Sequence, residues 1–189
     1  MIGYAFCGSF CTAMQSLEVM KKLLLAGYEI IPIMSDSIYS TDTRFFKAED
    51  LRRQVESLCG REIVHTIEKA EPLGPTTPLE ALIIAPCTGN TLSKIANGIT
   101  DTAATMAAKA HLRCDRPTLI ALASNDALSQ NLQNISKIMT RRSVFFVPMK
   151  QDSPISKPHS LVADFSMIEE SLEAMMAGKQ IRPIFISGD

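Results

Sequence analysis

The stretch Ala85–Asp101, APCTGNTLSKIANGITD, follows directly on the apolar run Ala81–Ile84, ALII. Four apolar residues that give way to short polar ones read as a buried strand opening onto a loop, and a helix starts at once behind it. The loop is crowded with Thr88, Gly89, Asn90, Thr91 and Ser93. Small oxygen-bearing side chains cap helices, and they also hydrogen-bond ligands. This stretch alone fits both uses. Only its repetition elsewhere in the chain separates them.

The same unit recurs on both sides. Ile2–Cys7 reads as a strand, and Thr12–Gly27 as a helix with Ala13, Leu17, Met20 and Leu24 on one face and Gly27 as its stop. Tyr28–Ser35 is a second strand; Pro32 removes a ladder donor and places that strand near a sheet edge. Asp42–Gly60 reads as a helix carrying Leu51, Val55 and Leu58 on one face, and Glu71–Pro78, EPLGPTTP, is too proline-rich for anything but a loop. Glu80–Pro86, Pro117–Ser124 and Val144–Met149 are further strands, with a helix from about Asp126 to Arg142 before the last. Residues 150–160 form an irregular loop, and residues 161–189 a C-terminal helix (Leu161–Ala177, stopped by Gly178) and tail ending in IRPIFI.

Continuous apolar strands alternating with helices indicate a parallel sheet covered on both faces. The expected fold class is therefore α/β: a doubly wound parallel sheet, Rossmann-like, in three α/β/α layers. The whole of residues 1–189 is expected to form one domain. A composition 46% hydrophobic and 21% charged excludes a disordered chain, and a net charge of −1 gives no reason to expect nucleic acid or an anionic membrane as partner. Met1 leads into IGYAF with no basic segment, and no apolar run is long enough to span a bilayer, so a cytoplasmic location is expected. Five cysteines, odd in number and without a CxxC pair, suggest neither a disulfide framework nor a metal site.

In such sheets ligands sit outside the carboxyl ends of the strands. Those ends read CGSFCT, MSDS, APCTGNT and ALASND, all rich in Gly, Ser, Thr, Asn and Asp. Capping accounts for one such loop; four on one rim point to a ligand needing many neutral donors. Gly8 and Ser9, with Thr12, precede a helix start, which is a phosphate site by geometry. GxGxxG and the P-loop lysine pattern are both absent, which favours a mononucleotide over NAD or ATP.

Ala85, Pro86, Thr88, Asn90, Thr91, Ala96, Asn97, Gly98 and Asp101 resemble the signature of the FMN-binding homo-oligomeric flavoproteins, the group of the cysteine decarboxylases and flavin prenyltransferases. Gly89 stands where alanine is common in that motif. The resemblance implies FMN, a homo-oligomer with the flavin between subunits, and a cofactor set of Gly8, Ser9, Thr12, Ser35, Pro86, Thr88, Gly89, Asn90, Thr91 and Ser124. It implies Asn90 and Asn125 as catalytic residues; Asn90 also fits a helix cap.

EPLGPTTPLEALIIAPCTGNT, MAAKAHLR, SNDALSQN and VPMKQDSPISKPHSLVAD are similar to the branch of this group that serves two-subunit dipicolinate synthases. That implies formation of pyridine-2,6-dicarboxylate from a dihydrodipicolinate or hydroxy-tetrahydrodipicolinate precursor during sporulation, beside an NADP-dependent A subunit. A dicarboxylate needs cations, and Arg142, Lys150, Lys157 and His159 are the candidate substrate ligands; a solvated charged face is the alternative.

Two departures narrow the chemistry. No His lies in Glu71–Pro78, where the cysteine decarboxylases carry theirs, and Leu128 and Ser129 stand in place of their Met and Trp. A non-catalytic scaffold for the A subunit, or a decarboxylase or prenyltransferase relative, are the alternative readings. Cys87 reads as a small hydrophobe rather than a nucleophile, His65 and His111 as surface or helix histidines, and the methionines as core filling.

Overall fold

Apolar strands need cover on both faces, and the chain supplies it by crossing from one face to the other. The computed structural model describes residues 1–187. Along the chain run β1 (Ile2–Phe6), a 3₁₀ turn (Phe10–Thr12), α1 (Ala13–Leu25), β2 (Ile30–Met34), α2 (Asp36–Ser40), α3 (Ala48–Cys59) and α4 (Ile67–Ala70). Then come β3 (Leu82–Cys87), α5 (Gly89–Asn97), α6 (Ala103–Leu112), β4 (Thr118–Ser124), α7 (Leu132–Met139) and β5 (Val144–Phe146). β6 (Met149–Ser153), β7 (Lys157–Ala163), a second 3₁₀ turn (Phe165–Met167) and α8 (Ile168–Met176) close the order.

The sheet runs β2-β1-β3-β4-β7-β6, with β5 also on β4. β1 to β5 are parallel, and Ile2 sits beside Ile30, Gly3 beside Leu82, Ile84 beside Ile120 and Ile120 beside Phe146. β7 pairs antiparallel with both β4 and β6, so the sheet is largely parallel but mixed, within the expected α/β class. β4 changes neighbour along its length: Thr118–Ile120 pairs with β5, and Ala123–Ser124 with β7. β2 lies at the edge, as Pro32 requires.

Every residue of β1, β2, β3 and β4 is buried. Successive side chains alternate between two cores. Tyr4, Ile83 and Leu119 join Leu17 and Met20 of α1, Leu51 and Val55 of α3, and Ile168 and Leu172 of α8. Ala5, Ile84 and Ile120 join Leu92 and Ile95 of α5, Ala103, Ala104, Ala107 and Ala108 of α6, and Ile135 and Ile138 of α7. Each large aliphatic side chain so buried contributes about 1.5–3 kcal/mol. A buried hydrogen-bond chain ties one helix across the strands: Tyr4 Oη donates to Ser16 Oγ (2.9 Å), which donates to the Ala85 carbonyl (2.5 Å).

Several boundaries differ from the sequence reading. Residues 150–160 are not an irregular loop but most of the β6–β7 hairpin, closed by the Ser153–Ser156 hydroxyl pair (2.6 Å) and the Lys157–Asp152 ion pair. Leu161–Ala163 finish β7, so the last helix starts only at Ile168. The helix expected over Asp126–Arg142 is confined to Leu132–Met139, because the Asp126 carbonyl turns back to accept from Ser129 N and Asn131 N. The helix expected from Asp42 starts at Ala48: the Asp42 carboxylate accepts Ala48 N (2.9 Å) and Thr43 Oγ1 accepts Phe45 N, which makes a turn of the intervening segment. In the tail, Phe185 forms a single bridge to Met149; the last two residues of that tail lie outside the described residues.

His111 is on a helix, as read, but wholly buried rather than at the surface. Its Nε2–H donates to the Pro117 carbonyl (2.9 Å), and its Nδ1 has no hydrogen-bond partner among the described residues. Burial pushes its pKa down to about 4.

Candidate functional site

The strand order reverses at β1 and β3, with β2 on one side and β4 on the other. An open α/β sheet leaves its ligand crevice at the carboxyl ends of such a pair. A cleft of about 1030 Å³ lies there, lined by the loops that follow β1, β2, β3 and β4 and by the β6–β7 hairpin.

The β1 and β2 loops contribute hydroxyls in two pairs. Thr12 Oγ1 donates to Ser9 Oγ (2.9 Å), and Ser35 Oγ lies 3.1 Å from Ser37 Oγ. Gly8 is held against the second pair: a Cβ there would stand 2.6 Å from Ser37 Oγ, so a larger residue would require that hydroxyl to turn aside. The amino end of α1 follows directly, with no acidic residue in its first turn. The positive end of the helix dipole therefore faces a rim of neutral hydroxyls, the arrangement that suits an oxyanion.

In the β3 loop the helix cap is Thr88. Its Oγ1 accepts Thr91 N (3.1 Å) and donates to Thr91 Oγ1 (3.0 Å), while Gly98 (φ 72°) closes α5 in the left-handed conformation. Asn90 is not the cap. It is exposed, lines the cleft, and its side chain makes no hydrogen bond to another described residue. Gly89 packs against the β4 loop, where a Cβ would meet Ser124 Oγ at 2.5 Å, Asn131 Nδ2 at 2.6 Å and Asp126 Oδ1 at 2.7 Å. That close approach gives a physical reason for glycine where the family motif carries alanine.

Three cations line the cleft: Arg44, Lys94 and Lys157. Lys94 is paired with Asp101 (2.8 Å) and Lys157 with Asp152. The Arg44 guanidinium lies 4.8 Å from the Phe45 ring centre and has no carboxylate partner among the described residues.

Of the residues singled out in the sequence, Gly8, Ser9, Thr12, Ser35, Thr88, Gly89, Asn90, Thr91, Ser124, Asn125 and Lys157 meet in this cleft. Pro86 does not line it; its carbonyl accepts Cys7 N (3.1 Å) behind the wall. Arg142 precedes β5 beside Ser143, whose carbonyl accepts Thr118 N at the amino end of β4, so it lies on the opposite rim of the sheet. Lys150 is on β6 and does not line the cleft. His159 is exposed on β7 and does not line the cleft.

The sequence reading misses Arg44, Phe45, Asp126 and Ser160 as site residues. The first two lie inside a segment that reads as helix. A signal for Asp126 does exist, since it ends ALASND, one of the four polar strand-end loops. Cys87 and Cys7 are buried, and burial raises both thiols, Cys7 to about 11 and Cys87 well above its ordinary value; neither lines the cleft, whereas Cys11 does.

Comparison with known proteins gives this geometry a family. The Flavoprotein family model matches residues 2–177. The chain is 38% identical over 185 residues to the B subunit of dipicolinate synthase from Bacillus subtilis (strain 168), covering 98% of this chain and 92% of that one. The crystal structure of the dipicolinate synthase B subunit from Bacillus halodurans is also 38% identical, with a TM-score of 0.90 over 98% of this chain and 95% of the other. The FMN-dependent cysteine decarboxylase SpaF shares the fold at 21% identity, with a TM-score of 0.69 over 94% of this chain and 95% of the other. The chain belongs to the flavoprotein family and is a homologue of the dipicolinate synthase B subunit.

Proposed function

We propose that this flavoprotein-family chain is the B subunit of a dipicolinate synthase, and that its cleft holds FMN beside a small ring dicarboxylate. The observation that carries the reading is the cleft itself. It combines neutral hydroxyls at the amino end of α1 with an arginine that has no carboxylate partner among the described residues. The chain around it is similar over 98% of its length to such a subunit. A volume of about 1030 Å³ sits at the upper end of ligand pockets, about 300–1,000 Å³, and leaves room for more than one small molecule.

The residues present fit FMN. Gly8, Ser9 and Thr12, with Ser35, would hold the phosphate, since the backbone at Gly8 runs close to Ser37 Oγ and hydroxyls surround it. The polar wall of Thr88, Gly89, Asn90, Thr91 and Ser124 would face the flavin ring, with Asn90 and Asn125 offering amides that both donate and accept. When bound, FMN supplies two-electron redox chemistry. Arg44 and Lys157 attract the carboxylates of the precursor, and burial of the ring in the cleft excludes water.

Conversion of hydroxy-tetrahydrodipicolinate to pyridine-2,6-dicarboxylate removes one water, then one hydride and one proton. The hydride goes to NADP on the A subunit, because no dinucleotide fingerprint is found in this sequence. The chain acts in the cytoplasm during sporulation as a homo-oligomer. The test is reconstitution of this chain with the A subunit, the precursor and NADP, following dipicolinate. Product formation should depend on both proteins, and an A subunit that makes product alone at full rate refutes the reading. Purified protein should be yellow, and Asn90→Ala should weaken FMN binding.

A further inference from the structure

A row of side-chain amides runs from the surface into the cleft. Lys137 Nζ donates to Asn97 Oδ1 (3.1 Å), and Asn97 Nδ2 donates to Asn134 Oδ1 (3.3 Å). Asn134 Nδ2 donates to Asn131 Oδ1 (2.9 Å), and Asn131 Nδ2 donates to both carboxylate oxygens of Asp126 (3.0 and 2.9 Å). Ser124 Oγ adds a third bond to Asp126, at Oδ1 (2.5 Å). An ammonium can only donate and a carboxylate can only accept. The two ends therefore fix the direction of every amide between them, and in each link of the row the N–H points toward Asp126, while the Asn97 amide also donates to the Ser93 carbonyl (2.8 Å).

The row joins α5 to α7 and ends on the turn that precedes α7. Asn131 and Asn134 are buried at 5% and 7% exposure, where an apolar pair would fill the space without desolvating amides. Bonds aligned in one sense also polarise one another. Gly89 forgoes its methyl to admit the same group. The result is one carboxylate held in place from behind. It has about four acceptor positions; three are occupied, and Asp126 lines the cleft.

Resting on the reading of the cleft as a dicarboxylate site, we propose that Asp126 determines specificity by accepting the O–H or N–H of a hydroxylated ring dicarboxylate, with Asn131 and Asn134 as its positioning residues. The cations of the cleft take the carboxylates that precursor and product share. Asp126 reads what they do not share, because aromatic pyridine-2,6-dicarboxylate has a bare ring nitrogen and no donor. The site therefore retains the hydroxylated ring and releases the aromatic one.

The test is calorimetric binding to the full-length protein of two stable probes, pyridine-2,6-dicarboxylate and its 4-hydroxy derivative. The native chain should bind the hydroxylated probe about tenfold more tightly or better, the range of a hydrogen bond to a charged group. Asp126→Asn keeps an acceptor for Ser124 and Asn131 and should bring the ratio to within about twofold, with the unsubstituted acid binding more tightly than before. Asp126→Glu, which moves the charge by one methylene, should also lose the preference and serves if the asparagine variant does not fold. Asn134→Ala, behind the wall, should narrow the ratio part of the way. Equal affinity of the native chain for both probes, or an unchanged ratio in Asp126→Asn, overturns the assignment while leaving the dicarboxylate reading intact. Failure of both probes to bind removes that reading, and the assignment with it.

Discussion

Gly89→Ala sets two known effects against each other. In the first turn of a helix the change gains up to about 1 kcal/mol of intrinsic propensity. Against this, the new methyl would lie 2.5 Å from Ser124 Oγ, 2.6 Å from Asn131 Nδ2 and 2.7 Å from Asp126 Oδ1. All three atoms belong to short side chains bonded to one another, so none can retreat without releasing its partner. Overpacking costs about 1–3 kcal/mol, and loss of one bond to the carboxylate about 1.5–3 kcal/mol. The net expectation is a loss of about 2–4 kcal/mol. At about 2–4 °C per kcal/mol for a chain of this size, the melting temperature should fall by roughly 4–16 °C. Urea denaturation should show a lower midpoint with an unchanged slope. In Gly89→Ala/Asp126→Ala the combined loss should be smaller than the sum of the single losses by about 1 kcal/mol or more. A Gly89→Ala protein as stable as the native one would refute the claim that the Asp126 cluster excludes a side chain here.

Three further perturbations test other parts of the fold. Because the native pKa of His111 is depressed to about 4, the unfolded chain binds its proton first, and stability should decline as pH falls from about 6.5 toward 4, by about 3 kcal/mol in full. His111→Gln should flatten that decline in pH-dependent denaturation; an unchanged slope would show that His111 is not its source. An aromatic-disulfide thiol reagent at neutral pH should modify Cys11 and Cys114 first, and Cys7 and Cys87 only on unfolding, with FMN shielding Cys11 alone of the exposed pair. Equal shielding of Cys114 would place the flavin elsewhere. Gly8→Ala should leave the melting temperature within a few degrees, since only the Ser37 hydroxyl must turn aside. It should weaken FMN about tenfold in a flavin-fluorescence titration, and native affinity would remove the phosphate from this loop.

The parallel part of the sheet is legible because its strands are buried on both faces and so appear as unbroken apolar runs, with a polar loop marking each carboxyl end. The hairpin is not legible. β6 has one buried residue, Met149, and in β7 burial begins only at Ser160, so no alternation marks them as strands. Leu161–Ala163 then extend the apolar spacing of α8 backwards and conceal where the strand ends. In the cleft, the hydroxyls and Asn90 can be placed from sequence because each follows a recognisable strand end. Arg44 cannot, because its turn is made by the Asp42 and Thr43 side chains inside a helical-looking segment. The amides of Asn97, Asn131 and Asn134 converge through packing of α5 against α7, which no local pattern reveals.

The change of partner along β4 separates two kinds of evolutionary freedom. Its first half is bound to β5 within the parallel core, while its last two residues accept a hairpin made of consecutive chain. Lys157 and Ser160 reach the cleft on that hairpin alone. Lengthening, shortening or recharging it exchanges one wall of the binding site without disturbing the register of the strands beneath. A family built on this frame can therefore retain the loops that end the parallel strands while altering, one hairpin at a time, the wall that faces them.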